Sequence, residues 1–364
     1  MKAIIIYSLA LAALTSCSKS EKTTTPDNPT PQQPREIRIS AAIEASAQTK
    51  AVTREVTTLE GPIDGTADIP NIQFLHKDDA NSTQSSGLSF EGVTAITGTR
   101  GKNADSGGGN ITFDNSAPQY DLVDNKYAYF VAYYPAGSVT SNVATFTIDG
   151  KTDILYAPLF NAGRYTDITS TPAMTFKHAL AQLEVVCKAE ENVSPDVMAK
   201  VWGKITKIEI ATKETAKYKY SDQSFEFTTT ESGGSNKLPL LGNDYKTAFA
   251  ADGIEIPAST NTTVNAAGMF APDNAANSTA PIKLAITTQV GSENAVTTEV
   301  TVQLTDGGSS STSKGFERGK KHTATLTFKS STKEISVTGT TVDKWDTGYT
   351  GTGDVTPGGT TVTP

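Results

Sequence analysis

Ile37-Arg38-Ile39-Ser40-Ala41-Ala42-Ile43-Glu44 alternates apolar with mostly polar side chains. In an extended chain, successive side chains point to opposite faces. Ile37, Ile39, Ala41 and Ile43 therefore share one face, and Arg38, Ser40, Ala42 and Glu44 share the other. Period two with one apolar face is the signature of a half-buried β-strand. The same pattern recurs downstream over residues 71–76, 88–97, 110–113, 127–134, 144–148 and 153–157. Polar and Gly-rich breaks such as 103–109 separate these segments. About seven strands suffice for one sandwich. A second series covers 174–189, 205–211, 218–227, 248–257, 263–270, 282–290, 296–304, 322–328 and 335–345. The run 174–189 fits either period and is read as a strand. Helical turns are expected only over 194–202, where Ser194 caps and Pro195 takes the first helical position. The expected fold is all-β, with two sandwiches in tandem over residues 36–172 and 173–348.

Outward from this folded part, the N-terminus reads as an address. Lys2 precedes an apolar run over residues 3–14, too short to cross a bilayer and suited to a secretory signal. It ends in Leu14-Thr15-Ser16-Cys17, which resembles a bacterial lipobox. Residues 1–17 are thus read as a lipoprotein signal, with Cys17 as the lipidated thiol. Several acyl chains, at about 0.8 kcal/mol per buried CH₂, would hold the protein on the outer membrane. Residues 18–35, rich in Thr and Pro, form a solvated tether. Residues 349–364 are Gly, Thr and Pro with isolated valines, a tail unable to bury much by itself.

Composition narrows the function. Only 37% of the 364 residues are hydrophobic and 19% charged, a balance that favours strands and turns over long helices. The net charge of −8 comes without a basic stripe, so nucleic acid is not an expected partner. With Cys17 consumed by export chemistry, Cys187 stands alone in an apolar run and reads as a buried thiol.

No catalytic residues, metal ligands or cofactor are expected. His76, His178 and His322 lack metal-ligand spacing. The sequence has neither a G-x-S-x-G elbow nor an H-E-x-x-H motif. The stretch from Gly315 to Lys321 departs from a phosphate-binding loop, being one residue short and lacking the Ser/Thr after the lysine. Asp78, Asp79 and Asn81 lack the spacing and glycine of a calcium loop. Trp202 and Trp345 read as core or interface residues, with sugar stacking as the other role open to them.

Taken in order, several segments resemble the fimbrillin family, the type V pilins of Gram-negative anaerobes. These are the lipobox at Cys17, the strand from Ile37 to Ile43 with Thr49-Lys50-Ala51-Val52-Thr53-Arg54, and Asp153-Ile154-Leu155-Tyr156-Ala157. Phe176-Lys177-His178-Ala179-Leu180-Ala181-Gln182-Leu183-Glu184-Val185, the block from Phe316 to Phe328 with His322-Thr323-Ala324-Thr325-Leu326-Thr327-Phe328, and the closing Ile335-Ser336-Val337 with Val342 and Trp345 complete the set. The resemblance implies two transthyretin-like sandwiches and a surface lipoprotein that joins fimbriae and mediates adhesion. It implies cleavage by a trypsin-like protease after Arg54, with Lys50 as the alternative. The first strand, with Ile37, Ile39, Ala41 and Ile43, would lie at a sheet edge, and its removal would open a groove for another subunit's strand. Other fimbrial subunits and a host surface protein or glycan are the implied partners. The tail departs from the pattern of a donor strand, offering only Val355 and Val362. Either the donor includes part of 335–345, or the chain is an accessory, tip or anchor subunit. The second reading is a surface carbohydrate-binding outer-membrane lipoprotein.

Overall fold

Buried and exposed side chains alternate along many strands of the computed structural model, which describes residues 33–44, 59–64, 67–84, 87–102, 109–229, 236–272, 280–305, 313–344 and 350–351. The first series comprises β1 (Ser40–Ile43), β2 (Ile69–Asp79), β3 (Ile96–Arg100), β4 (Gly109–Phe113) and β5 (Tyr127–Tyr134). It continues with β6 (Ser138–Thr140), β7 (Val143–Thr147), β8 (Leu155–Asn161) and β9 (Ala173–His178). Next come β10 (Ala181–Ala189), helix α1 (Pro195–Val201), β11 (Lys204–Thr212), β12 (Thr215–Lys219), β13 (Phe225–Thr228) and β14 (Asn236–Pro239). The chain proceeds through β15 (Ile254–Glu255), β16 (Ala266–Phe270), β17 (Ile282–Gln289), β18 (Val296–Val302) and β19 (Leu304–Thr305). It closes with β20 (Ser313–Lys314), β21 (Lys320–Lys329), β22 (Glu334–Lys344) and β23 (Thr350–Gly351). As the sequence suggests, Ser194 caps α1 and Pro195 opens it. Among the described residues, no helix is long and apolar enough to cross a membrane.

The fold is all-β. Seven strands close into a ring in the order β1-β4-β3-β2-β5-β8-β9. Two further sheets run β16-β10-β21-β22-β23 and β14-β11-β17-β18. A fourth, β13-β12-β7-β6, joins strands from both sides of residues 169–172. The unbroken apolar run of β5 has a clear cause. Ala128, Phe130, Ala132 and Tyr134 enter the core of the ring, while Tyr129, Val131 and Tyr133 enter a second core with Phe146, Tyr218 and Met269. A strand covered on both faces has no need of polar alternation. A third core gathers β10, α1, β11, β17 and β21 around Trp202, Ile208, Ile286 and Phe328.

Several expectations need correction. The first strand is not at an edge: β1 pairs with β4 antiparallel and with β9 parallel. The ring leaves no edge there because β9 returns to the start of the chain. Residues 174–189 form two strands, since Ala179 and Leu180 turn the chain from the ring into the next sheet. Residues 218–227 bend between β12 and β13, with Gln223 at positive φ. Of 88–97 only the end is strand: Leu88 and Phe90 are buried from a loop. Residues 248–257 contribute only β15.

Candidate functional site

The place of Ile37, Ile39, Ala41 and Ile43 follows from the alternation that opens the fold. Ile37 and Ile39 are each 1% exposed and Ala41 is 0% exposed, all inside the ring core; Ile43 packs against it, partly buried. The backbone is held on both flanks. Toward β4, Ile37 N–H donates to the Pro118 carbonyl at 2.8 Å and Ile111 N–H donates to the Ile39 carbonyl at 2.9 Å. Toward β9, Ser40 N–H donates to Pro172 at 3.0 Å and Glu44 N–H to Phe176 at 2.8 Å. The segment thus fills a slot between two strands and supplies part of their shared core.

Two charged features frame the slot. Arg100, at the end of β3, is buried, and its Nε donates to the Ala41 carbonyl at 2.7 Å. Burial lowers the Arg100 pKa from its ordinary value, partly countered by Asp68 and Asp64. At the exit, Glu44 shares a cleft of about 210 Å³ with Lys177, Arg318 and Lys320. Glu44 Oε1 lies 4.0 Å from Lys177 Nζ. Arg318 is steadied by the rings of Tyr156 and Phe225, 5.4 and 5.3 Å from its guanidinium carbon. At the entrance, Arg35, Glu36, Arg38 and Tyr120 line an open groove of about 670 Å³.

Downstream of the slot, residues 59–63 are tied to the body. Leu59 N–H donates to the Tyr134 hydroxyl, Gly61 N–H to Lys151 at 2.7 Å, and Ile63 N–H to Asp153 Oδ2 at 3.0 Å. Lys151 Nζ meets Glu60 Oε1 at 2.7 Å. Asp153 is itself fixed by His178 Nδ1 at 2.8 Å, with both side chains buried. Burial pushes the Tyr134 hydroxyl up to about 12, keeping it protonated across the physiological range.

Cys17, Lys50, Arg54 and Trp345 lie outside the described residues. The structure brings together Ile37, Ile39, Ala41 and Ile43, as alternation requires. It separates the three histidines by role. His76 stacks on Phe130, with ring centroids 4.7 Å apart; His178 pairs with Asp153; His322 is buried against Phe316. Trp202 is 2% exposed, with its indole N–H on the Lys329 carbonyl at 3.1 Å, so it offers no face to a sugar. Cys187 is a buried free thiol, pushed by burial to about 12. Asp79 accepts from the Asn81 backbone and the Gln84 side chain, a local turn. Sequence reading missed Arg100 and Asp153. A buried arginine on a strand has no spacing signal, and Asp153 has meaning only beside His178.

Fold and slot together define a class: multi-sheet β-proteins in which the N-terminal strand is the closing stave of a ring. The chain belongs to the Fimbrillin-like family, whose pattern matches residues 71–345. Among solved structures, a candidate cell adhesion protein from Bacteroides uniformis is 19% identical, with a TM-score of 0.50 over 79% of this chain and 97% of that one. This likeness supports the fold. A fimbrial protein from Bacteroides vulgatus is 16% identical, with a TM-score of 0.43 over 85% of this chain and 99% of that one. No curated protein is a significant match. Family membership points to a pilus subunit at the cell surface, associated with other fimbrial subunits.

Proposed function

We propose that this chain is a fimbrial subunit that joins its neighbour by strand exchange after proteolysis. It reaches the outer membrane as a lipoprotein acylated on Cys17. A trypsin-like protease then cuts after Arg54, or alternatively after Lys50, and the assembled fimbria serves adhesion to a host surface protein or glycan. The observation that supports strand exchange is the position of β1, an apolar strand filling a slot between β4 and β9.

Pairing on both sides changes the mechanism expected of an edge strand. Fully burying an isoleucine is worth about 2 kcal/mol, and leaving buried Arg100 without its acceptor on Ala41 adds a further cost. The slot is therefore costly to leave empty. Cutting severs the covalent link and leaves the strand in place until another strand displaces it. Residues 59–63 stay tied through Tyr134, Lys151 and Asp153, so the chain keeps its attachment from residue 59 onward.

The test treats purified precursor with a trypsin-like protease and follows fragment mass, retention of the segment before Glu55, and polymer formation. Wild type should yield a new N-terminus at Glu55 and form polymer in the presence of partner subunits. Arg54→Ala should block both, or move cleavage to Lys50. Polymer formation by an Arg54→Ala, Lys50→Ala double variant without any cleavage would overturn the proposal.

A further inference from the structure

We infer that the open groove beside the start of β1 binds an acidic saccharide, and that the bound saccharide holds residues 34–38 against the body. The inference rests on the adhesion part of the function proposed above, which it deepens, and not on strand exchange. It concerns the uncut chain, so its failure leaves strand exchange standing.

The groove has a volume of about 670 Å³, inside the range of roughly 300–1,000 Å³ usual for ligand clefts. Residues 34–38 form one side, and the body segments 119–120 and 168–172 form the rest. Backbone contacts fix these parts relative to one another. Tyr120 N–H donates to the Arg35 carbonyl at 3.1 Å, and Ile37 N–H to the Pro118 carbonyl at 2.8 Å. On the other wall, Ser40 N–H donates to the Pro172 carbonyl at 3.0 Å, and Ile168 packs against the ring core. The Tyr120 hydroxyl donates to the Ala162 carbonyl at 3.0 Å. A ligand thus meets a site built in advance, and little ordering opposes its binding.

The lining decides the class of ligand. Arg35 donates to the Ile168 carbonyl at 3.4 Å, and among the described residues no carboxylate pairs with it or with Arg38. A guanidinium fork matches a planar acid group. Thr169, Ser170 and Thr171 are exposed and bring three hydroxyls, and exposed Gln119 brings a carboxamide. Such groups both donate to and accept from sugar hydroxyls. Glu36 sets one carboxylate beside the arginines. It accepts from hydroxyls and repels a densely charged polyanion. Tyr120 is buried and offers no ring for stacking, so charge and hydrogen bonds carry recognition.

The charged groups belong to the leading segment and the hydroxyls to the body. A saccharide that touches both bridges them, and detachment of the segment takes the site apart. Binding must then slow detachment by a factor of 1 + [L]/Kd. A chain that loses residues 34–38 loses both arginines and with them the site.

Titration calorimetry on the full-length chain tests this with a galacturonic acid tetrasaccharide, its neutral methyl ester and sodium sulfate. The acidic tetrasaccharide should bind at least about tenfold more tightly than either of the others. Arg38→Ala, at an exposed position, should weaken it about tenfold, and Arg38→Lys should keep part of the affinity. Thr171→Ala should weaken it about threefold. Native-state hydrogen exchange locates the site. With ligand at about nine times Kd, the Ile37 and Ser40 amides should exchange about tenfold more slowly, and Arg38→Ala without ligand should match the wild type. Vesicles carrying an acidic glycolipid that displace the tetrasaccharide would place the same sugar chemistry on a membrane; vesicles that do not would assign a free polysaccharide. Equal binding of acid and ester would leave a glycan site and overturn the acid. Sulfate binding as tightly as the tetrasaccharide would overturn the saccharide. Binding that leaves Ile37 and Ser40 at their ligand-free rates would put the ligand elsewhere and overturn the bridge. No heat from any probe at about 10 mM would overturn the whole inference.

Discussion

Ile39→Ala is the most direct probe of β1 as a closing stave. Ile39 is 1% exposed in the ring core, and its carbonyl accepts the Ile111 amide at 2.9 Å. Truncation removes three carbons at about 0.8 kcal/mol each and leaves a cavity, so the loss should be about 3 kcal/mol. Because β1 is a short strand beyond which Tyr134 and Asp153 tie down residues 59–63, the loss should fall on detachment of β1 alone. Each 1.4 kcal/mol is a factor of ten, so the open population should rise about a hundredfold. Native-state hydrogen exchange reads this directly. The Ser40, Glu44 and Ile111 amides should exchange about a hundredfold faster, while Ile208 and Ile286, in another sheet, keep their wild-type rates. Ile43→Ala, at a partly buried position, should give a smaller effect at the same amides. Equal acceleration in both sheets would mean that β1 opens only with the whole molecule, and the local-stave argument would be refuted. Acceleration below fivefold at Ile111 would refute the packing estimate itself.

Three further outcomes test other parts of the fold. His322 is held near pKa 3 by burial, with Lys320 adding to the shift and the Glu317 backbone opposing it. Between about pH 6.5 and 3 the unfolded chain binds a proton that the native chain does not, so stability falls as pH falls through that window. From pH 7 to 5 the wild type should lose about 2 kcal/mol more than His322→Gln, measured by urea unfolding at each pH. Buried Cys187, raised to about 12, should react with a thiol reagent at a rate set by unfolding, and a fast burst in native buffer would contradict its burial. Asp153→Asn weakens a buried acceptor of Ile63 N–H and of His178, and should cost about 2–4 kcal/mol and speed proteolysis near residues 59–63; unchanged thermal unfolding would remove the clamp from the account.

Much of the fold is legible wherever local pattern decides it. Residues 127–134 read as a strand because β-branched and aromatic residues crowd one short run, and β5 has those bounds. The cap at Ser194 and the proline after it mark α1 for the same local reason. The break at Ala179 and Leu180 is invisible in sequence: both residues are fully buried, and neither glycine nor proline marks the turn. Ring closure is invisible too. Ser40 pairs with Ala173, far along the chain, and alternation specifies a face for each strand but no neighbour. Glu44 and Arg318 look like ordinary solvated charges until the fold places them on one cleft.

The way β1 is held also bears on how a subunit could stay inert before cleavage and reactive after it. Its registered pairing to β4 spans only Ser40 and Ala41, and its longer pairing to β9 is parallel, the slightly weaker geometry per residue. Most of the holding energy thus comes from apolar side chains and the Arg100 contact, not from an extended ladder. Such a strand is stable while tethered, because any opening is followed by intramolecular return at high effective concentration. Cutting the connection removes that advantage without altering one contact in the slot. A competing strand that fills the pockets of Ile37 and Ile39 and places a carbonyl where Ala41 does would then compete by mass action.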